Sequence, residues 1–283
     1  MFAPDQYQLL DFGGGRKLER FGAYVLDRCS PSAEGIRKSD PGNWNKCDAR
    51  YDRTRGEEGE WNSRGVLPSA WSITHSELVF ELQPTPFGHL GVFPEQAANW
   101  DWITKQLARS PKPLRVLNLF AYTGGSTLAA AAAGAEVVHV DSAKNTVAWA
   151  RRNAELSGLS EKPIRWIAED AKRFAERELR RGKRYDAVIL DPPSYGHGPK
   201  GETWKIARDL HALLTTCAQL TQGHRAFMLL TCHSPGFDPP EVEAILADAV
   251  FGSCQAGATA KALTVSCIDG RKLPSGVVAR WPR

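Results

Sequence analysis

The sequence predicts an α/β protein: a doubly wound sheet of seven strands covered by helices, preceded by a small β-rich region. Three observations predict it. From residue 95 onward, short apolar runs alternate with helical segments. Those runs are nearly continuous in apolar residues, as strands buried on both faces must be. Before that point Gly, Pro and Trp are frequent and no long helical periodicity occurs, so short strands and loops are expected. The expected division is residues 1–94 and 95–283.

In the first region Tyr24-Val25-Leu26 and Leu78–Leu82 read as strands, and the polar, Gly-punctuated stretch Ser39–Gly65 as a loop or hairpin. Gln96–Arg109 then reads as a helix with Trp100, Ile103 and Leu107 on one side. Strands follow at 115–120, 136–141, 164–168, 185–191 and 226–232. Helices are expected at 125–133, 143–157, 171–181, 203–220 and 240–251, the first rich in alanine, the best helix former. Two short strands near 262–266 and 277–279 end the chain. In such a sheet a ligand binds at the carboxyl ends of the strands, where the strand order reverses.

Composition narrows the function classes. Of the 283 residues, 42% are hydrophobic and 24% charged, as in a folded globular chain. No apolar run reaches the roughly 18 residues needed to span a bilayer, and the first residues do not read as a secretory signal, so a cytoplasmic protein without a membrane partner is expected. Six scattered cysteines form no Cys-x-x-Cys pair, which speaks against structural zinc and a disulfide scaffold; no metal is expected, and Cys254 and Cys267 read as buried small residues. The formal charge of +4 is compatible with a polyanionic partner but does not require one. The densest basic stretch, Lys172–Arg184, is interrupted by Glu176 and Glu178 and reads equally well as a solvated helix face. Two short basic turns, Gly15–Arg20 and Gly270–Gly276, read as exposed hairpins.

Four elements carry chemistry. Arg115–Ser126 is a strand, a tight turn at Gly124-Gly125 and a helix start, whose first N–H groups can meet a polar ligand end. Asp141 ends the next strand, where a carboxylate can accept from ribose hydroxyls; with Ser142 it can also cap the following helix. Asp170-Ala171 follows the third strand, with an adenine-amino acceptor and a helix cap as equal readings. The fourth, Asp191-Pro192-Pro193-Ser194-Tyr195, closes a buried strand with an acid and two prolines. That rigid acceptor edge, with an aromatic close by, suits holding a planar base, and dinucleotide enzymes have no use for it.

In these residues the chain resembles the class I S-adenosylmethionine-dependent methyltransferases, with their Rossmann-like sheet, and within them the bacterial 23S ribosomal RNA large-subunit methyltransferases acting on cytosine C5 or guanine N7. The likeness runs from about residue 85 to 235, through Asn118-Leu119-Phe120-Ala121-Tyr122-Thr123-Gly124-Gly125, Ala150–Leu159 and Asp191–Tyr195. It implies S-adenosylmethionine as cofactor and a base in ribosomal RNA as acceptor. It also implies that Phe93 and Gln96 belong to a cofactor-covering loop, that Asp191 is catalytic and also part of the cofactor pocket, and that Pro192, Pro193, Ser194 and Tyr195 hold the substrate.

Two departures from that family matter. Residues 1–80 do not read as an RNA-binding domain. The cytosine-C5 enzymes carry a nucleophilic cysteine which, aligned on Thr231 and Gly236, falls here at Ser234, two residues after Cys232. Carbon-5 chemistry needs a reachable thiolate. Cys232 is therefore a nucleophile only if the loop is remodelled, and a strand-end packing residue otherwise. Nitrogen acceptors need only positioning and a proton sink, for which Asp191 or His197 is available. A methyltransferase of a small molecule or protein, and a non-catalytic cofactor- or RNA-binding module, are the alternatives; the oligomeric state is not encoded in any motif.

Overall fold

The computed structural model describes residues 1–56, 58–198, 201–253 and 257–282. Cys254, and Pro199 and Lys200 of the loop near His197, lie outside the described residues. Contacts group the chain into two units: residues 1–98 with 264–275, and residues 99–263 with 276–283.

The first unit holds β1 (Tyr7–Gly13), β2 (Arg16–Phe21), β3 (Tyr24–Cys29), a short helix α1 (Pro41–Trp44), β4 (Ala49–Arg55) and β5 (Glu58–Ser63). These five strands form one sheet in sequence order, antiparallel except where β3 meets β4. The stretch expected as a loop or hairpin is thus the β4–β5 hairpin. A separate hairpin joins β6 (Trp71–His75) to β7 (Leu78–Leu82). Leu18, Phe21, Leu26, Tyr51 and Phe80 are buried. So is Glu19, whose Oε2 accepts from Arg28 Nε at 2.8 Å and Nη2 at 2.6 Å, while Tyr7 donates its hydroxyl to Oε1 at 2.9 Å. Burial alone would raise the Glu19 pKa; Arg28 and Lys17 outweigh it and leave the carboxyl below its ordinary 4.5.

The second unit carries the sheet expected from the alternation. Its elements are α2 (Ala97–Leu107), β8 (Arg115–Leu119), α3 (Gly125–Ala132), β9 (Glu136–Asp141), α4 (Lys144–Leu156), β10 (Ile164–Ala168), α5 (Ala171–Arg180), β11 (Ala187–Leu190), β12 (Tyr195–His197), β13 (Thr203–Lys205), α6 (Ile206–Leu220), β14 (Phe227–Cys232), α7 (Pro239–Phe251), and the parts outside residues 264–275 of β15 (Thr259–Ser266) and β16 (Lys272–Trp281). Seven strands form one sheet in the order β10-β9-β8-β11-β14-β16-β15. The first five run parallel and β16 runs antiparallel to β14, so the sheet is mixed. Strand alternation sorts the core onto two faces: Leu117, Leu119, Val138 and Val140 pack toward α5–α7, and Val116, Val137 and Ile189 toward Ile103 and Ala130.

Three boundaries differ from expectation. The closing strands are longer than the short apolar runs that announced them. The helix expected at 203–220 begins at Ile206, because Thr203–Lys205 pairs with Tyr195–His197 as a small hairpin. Trp204 anchors that hairpin by donating Nε1–H to the Pro193 carbonyl at 2.7 Å, and Asp209 accepts the Lys205 N–H at 3.0 Å. The chain order reverses between β8 and β11, so the carboxyl ends of β8, β9, β11 and β14 define the place where a ligand binds.

Breaking a buried ion pair by removing one partner costs about 3–5 kcal/mol. Glu19→Gln is expected to lose stability on that scale at neutral pH in a urea titration. Because the folded pKa is depressed, the Glu19 contribution is complete above 4.5 and fades as pH falls through the lower folded value. The variant should therefore show a shallower acid limb; an unchanged limb would assign the acid sensitivity elsewhere.

Candidate active site

The turn between β8 and α3 is built from unusual backbone. Phe120 has φ +55° and Tyr122 φ +49°, both in the left-handed region that non-glycine residues avoid, and Gly124 caps α3 at φ +94°. Two hydrogen bonds hold it. Ala121 N–H donates to the Val140 carbonyl at 3.0 Å, and Tyr122 N–H donates to Asp141 Oδ2 at 2.9 Å. Asn153 of α4 adds a third tie from its side-chain amide to the Thr123 carbonyl at 2.9 Å. Gly125 answers to packing: a Cβ there would lie 2.4 Å from the Trp100 ring, so the glycine lets α2 approach the start of α3.

Asp141 sits where β9 ends. Its second oxygen accepts the Ala143 N–H at 3.0 Å, so one carboxylate joins the turn after β8 to the turn before α4. Burial raises its pKa, opposed by the backbone donors at Ala143, Tyr122 and Ser142. Each carboxylate oxygen has two lone pairs, so both can still accept a hydroxyl. Beneath the turn, Asn118 donates to Thr127 Oγ1 at 2.9 Å, and that hydroxyl lies 3.0 Å from His139 Nδ1. His139 is fully enclosed, and burial drives its pKa down to about 3, so it is a neutral structural imidazole. Asp170 caps α5, with Oδ1 accepting the Arg173 N–H at 2.9 Å, and Ala171 is buried behind it.

Across the switch point stands Asp191, whose N–H donates to the Leu119 carbonyl at 3.4 Å. Its Oδ1 accepts from Thr231 and lies 3.2 Å from His233 Nε2. Burial would raise the Asp191 pKa; His233 and Thr231 reverse it and hold the carboxyl below the ordinary range. Gly276 fixes His233 from behind: at φ +112°, a Cβ there would be 2.7 Å from the imidazole Nδ1 and 2.6 Å from the Cys232 carbonyl. The rest of the segment is pinned as well. Ser194 Oγ lies 2.7 Å from Ser234 Oγ, and the Trp204 that holds Pro193 packs tilted against Phe120 at 4.9 Å between ring centres. Tyr195 is 52% exposed and meets His197 edge-on at 5.0 Å.

Cys232 is placed differently. Its side chain lies among Leu230, Val242 and Ala279 with 1% exposure. Burial raises its thiol pKa, only partly opposed by Ser234, and nearby Asp191 raises it further. A thiol in that setting stays protonated.

The structure thus brings Asn118–Gly125, Asp141 and Asp191 to neighbouring strand ends. Phe93 and Gln96 belong to the first unit, where Phe93 caps the 3₁₀ turn Pro94–Gln96, meets His89 edge-on at 5.3 Å, and accepts the Gln96 N–H on its carbonyl. His233 and Thr231 were not singled out by the sequence as partners of Asp191. Only the register of β14 beside β11 brings them there.

Known proteins are similar to this chain in sequence and fold. Residues 43–238 match a protein family described as S-adenosylmethionine-dependent methyltransferase. A crystal structure of a SAM-dependent methyltransferase from Agrobacterium tumefaciens is 35% identical, with a TM-score of 0.91 over 98% of this chain and 91% of that one. Ribosomal RNA large subunit methyltransferase K of Neisseria meningitidis is 31% identical over 41% of this chain, and methyltransferase I of Aeromonas salmonicida 36% identical over 38%. The matched segments span only 33% and 27% of the lengths of those two relatives. With a family match over most of its length and a near-complete structural counterpart above 30% identity, the chain belongs to the S-adenosylmethionine-dependent methyltransferases.

Proposed function

We propose that this protein transfers a methyl group to a nitrogen of an RNA base, with ribosomal RNA as the substrate. The observation that carries the reading is Asp191. It is an ionised carboxylate at the end of a central strand, backed by His233, next to a rigid Pro-Pro edge and the exposed ring of Tyr195. The buried, protonated Cys232 favours nitrogen over carbon-5. The names of the relatives from Neisseria and Aeromonas favour ribosomal RNA.

The cofactor, when bound, supplies a methyl group made electrophilic by its sulfonium. Asp141 is oriented by two backbone donors and fits a pair of ribose hydroxyls. The turn Phe120–Gly124 and the first N–H groups of α3, which no carbonyl within that helix can accept, fit the polar methionine end. Asp170 commits Oδ1 to its cap and would offer Oδ2 to the adenine amino group. Ser142 and Ala171 flank these acids. Pro192 presents its carbonyl to the base, Pro193, whose carbonyl is held by Trp204, stiffens that edge, and Tyr195 stacks on the base. Asp191 accepts a hydrogen bond from the acceptor nitrogen and takes its proton, and His233 Nε2 lies one hydrogen bond from the same carboxylate.

Calorimetry with S-adenosylmethionine should show affinity lost by at least tenfold in Asp141→Ala; equal binding would remove Asp141 from the pocket. Loss of a positioned proton acceptor lowers kcat by roughly 10²–10⁴-fold. Asp191→Asn is expected to fall in that range while cofactor affinity holds. Cys232→Ala should keep its activity once corrected for folded fraction, whereas a collapse would restore carbon-5 chemistry. With labelled cofactor, the label should enter the RNA fraction, and label confined to protein or metabolites would refute the RNA assignment.

A further inference from the structure

The β12–β13 hairpin continues the acceptor edge: its first residue, Tyr195, stands four positions after Asp191. The register of its two three-residue strands sorts the side chains onto two faces. Gly196 pairs with Trp204, and Trp204 is buried, packed on Phe120 and bonded to the Pro193 carbonyl. The alternate positions therefore point the other way. Tyr195 pairs with Lys205 and His197 with Thr203, and Tyr195, His197 and Lys205 are exposed. Two aromatic rings and a cation thus share the outer face of one hairpin.

The scaffold beneath that face is fixed. Glu202 pairs with Arg173 of α5 at 3.1 Å, Arg208 donates to the Thr203 carbonyl, and Asp209 accepts the Lys205 N–H at 3.0 Å. The two exposed rings stand at 89° to each other with their centres 5.0 Å apart. Bases stacked on them would lie in different planes, whereas successive bases of a helical strand are parallel. An unpaired strand with its bases splayed apart can satisfy both rings, and a duplex cannot.

We propose that this face is a stacking platform for single-stranded RNA: Tyr195 holds the base presented to Asp191, His197 holds an adjacent base, and Lys205 meets the phosphate beside them. The inference rests on the RNA reading above and adds that the target nucleotide lies in an unpaired segment. Stacking of this kind tolerates any sequence, because every base has a π-face.

The test uses the full chain and fluorescence anisotropy with a labelled, unstructured RNA, alone or annealed to its complement. Wild type should bind the single strand roughly tenfold or more tightly than the duplex. His197→Ala should weaken single-strand binding roughly tenfold and raise KM for RNA far more than it lowers kcat. Its melting temperature and S-adenosylmethionine affinity should match the wild type. His197→Phe should restore single-strand binding, since a phenyl ring stacks but cannot titrate. Lys205→Gln should take about 0.7 off the log–log salt slope, the share of one phosphate contact on a single strand. Equal wild-type affinity for strand and duplex, or unchanged single-strand affinity in His197→Ala, overturns the platform and leaves the RNA reading standing. Failure of His197→Phe to restore binding overturns the stacking role as well. Absence of binding to either RNA by the wild type defeats the RNA reading and the platform with it.

Discussion

Left-handed backbone at a residue other than glycine costs of order 1–3 kcal/mol, and the turn after β8 holds two such residues within three positions. It would relax unless the surroundings over-determined it. The Asp141 carboxylate supplies much of that constraint, with one oxygen on the Tyr122 N–H and the other on the Ala143 N–H. Two adjacent crossovers of the sheet are thereby tied to one side chain. The arrangement explains why an acid belongs at this strand end even before a ligand is considered: it fixes the turn and keeps acceptor capacity for hydroxyls. Asn118, Thr127 and His139 support the same turn from below, where a neutral imidazole can be buried at less cost than a charged one.

The opposite wall follows a different logic. Asp191 would be driven toward protonation by burial, yet Thr231 and His233 reach it from the neighbouring strand and keep it ionised. An ionised acid beside an imidazole is available to accept a hydrogen bond from the acceptor nitrogen; beside an inert thiol it is poorly matched to generating a thiolate, since its negative charge pushes the thiol pKa up. One carboxylate therefore argues for nitrogen chemistry and against covalent carbon-5 chemistry. Cys232 could serve as a nucleophile only by leaving the apolar cluster with Leu230 and Val242.

Much of this was legible in the sequence, and the limits have physical causes. Buried parallel strands advertise themselves as apolar runs, so β8 to β11 and β14 were readable, and an acid closing such a run marks a strand end. The β12–β13 hairpin was not, since three-residue strands carry no measurable period; it is held by Trp204 on Pro193, a contact spanning eleven positions. Gly125 permits the close approach of Trp100, twenty-five positions earlier, which no local pattern announces. His233 and Gly276 gain their roles from strand register. Antiparallel pairing of β16 with β14 sets Cys232 against Val277, next to the glycine that backs His233. No local pattern encodes such neighbours.

Charge shows the same contrast between sequence and space. A formal +4 says little about a polyanionic partner, and in the richest basic run in the sequence, in and after α5, Lys172, Arg173 and Arg177 face carboxylates from other segments. Lys105, Arg109, Lys261 and Arg280 gather in one groove from three separate places, α2, β15 and β16, none of which looks basic when read alone. Field strength at a surface depends on which charges lack neighbours of opposite sign within about a Debye length of 8–10 Å. The attraction this protein exerts on an anion is therefore set by how folding brings distant charges together, not by the density of one basic run.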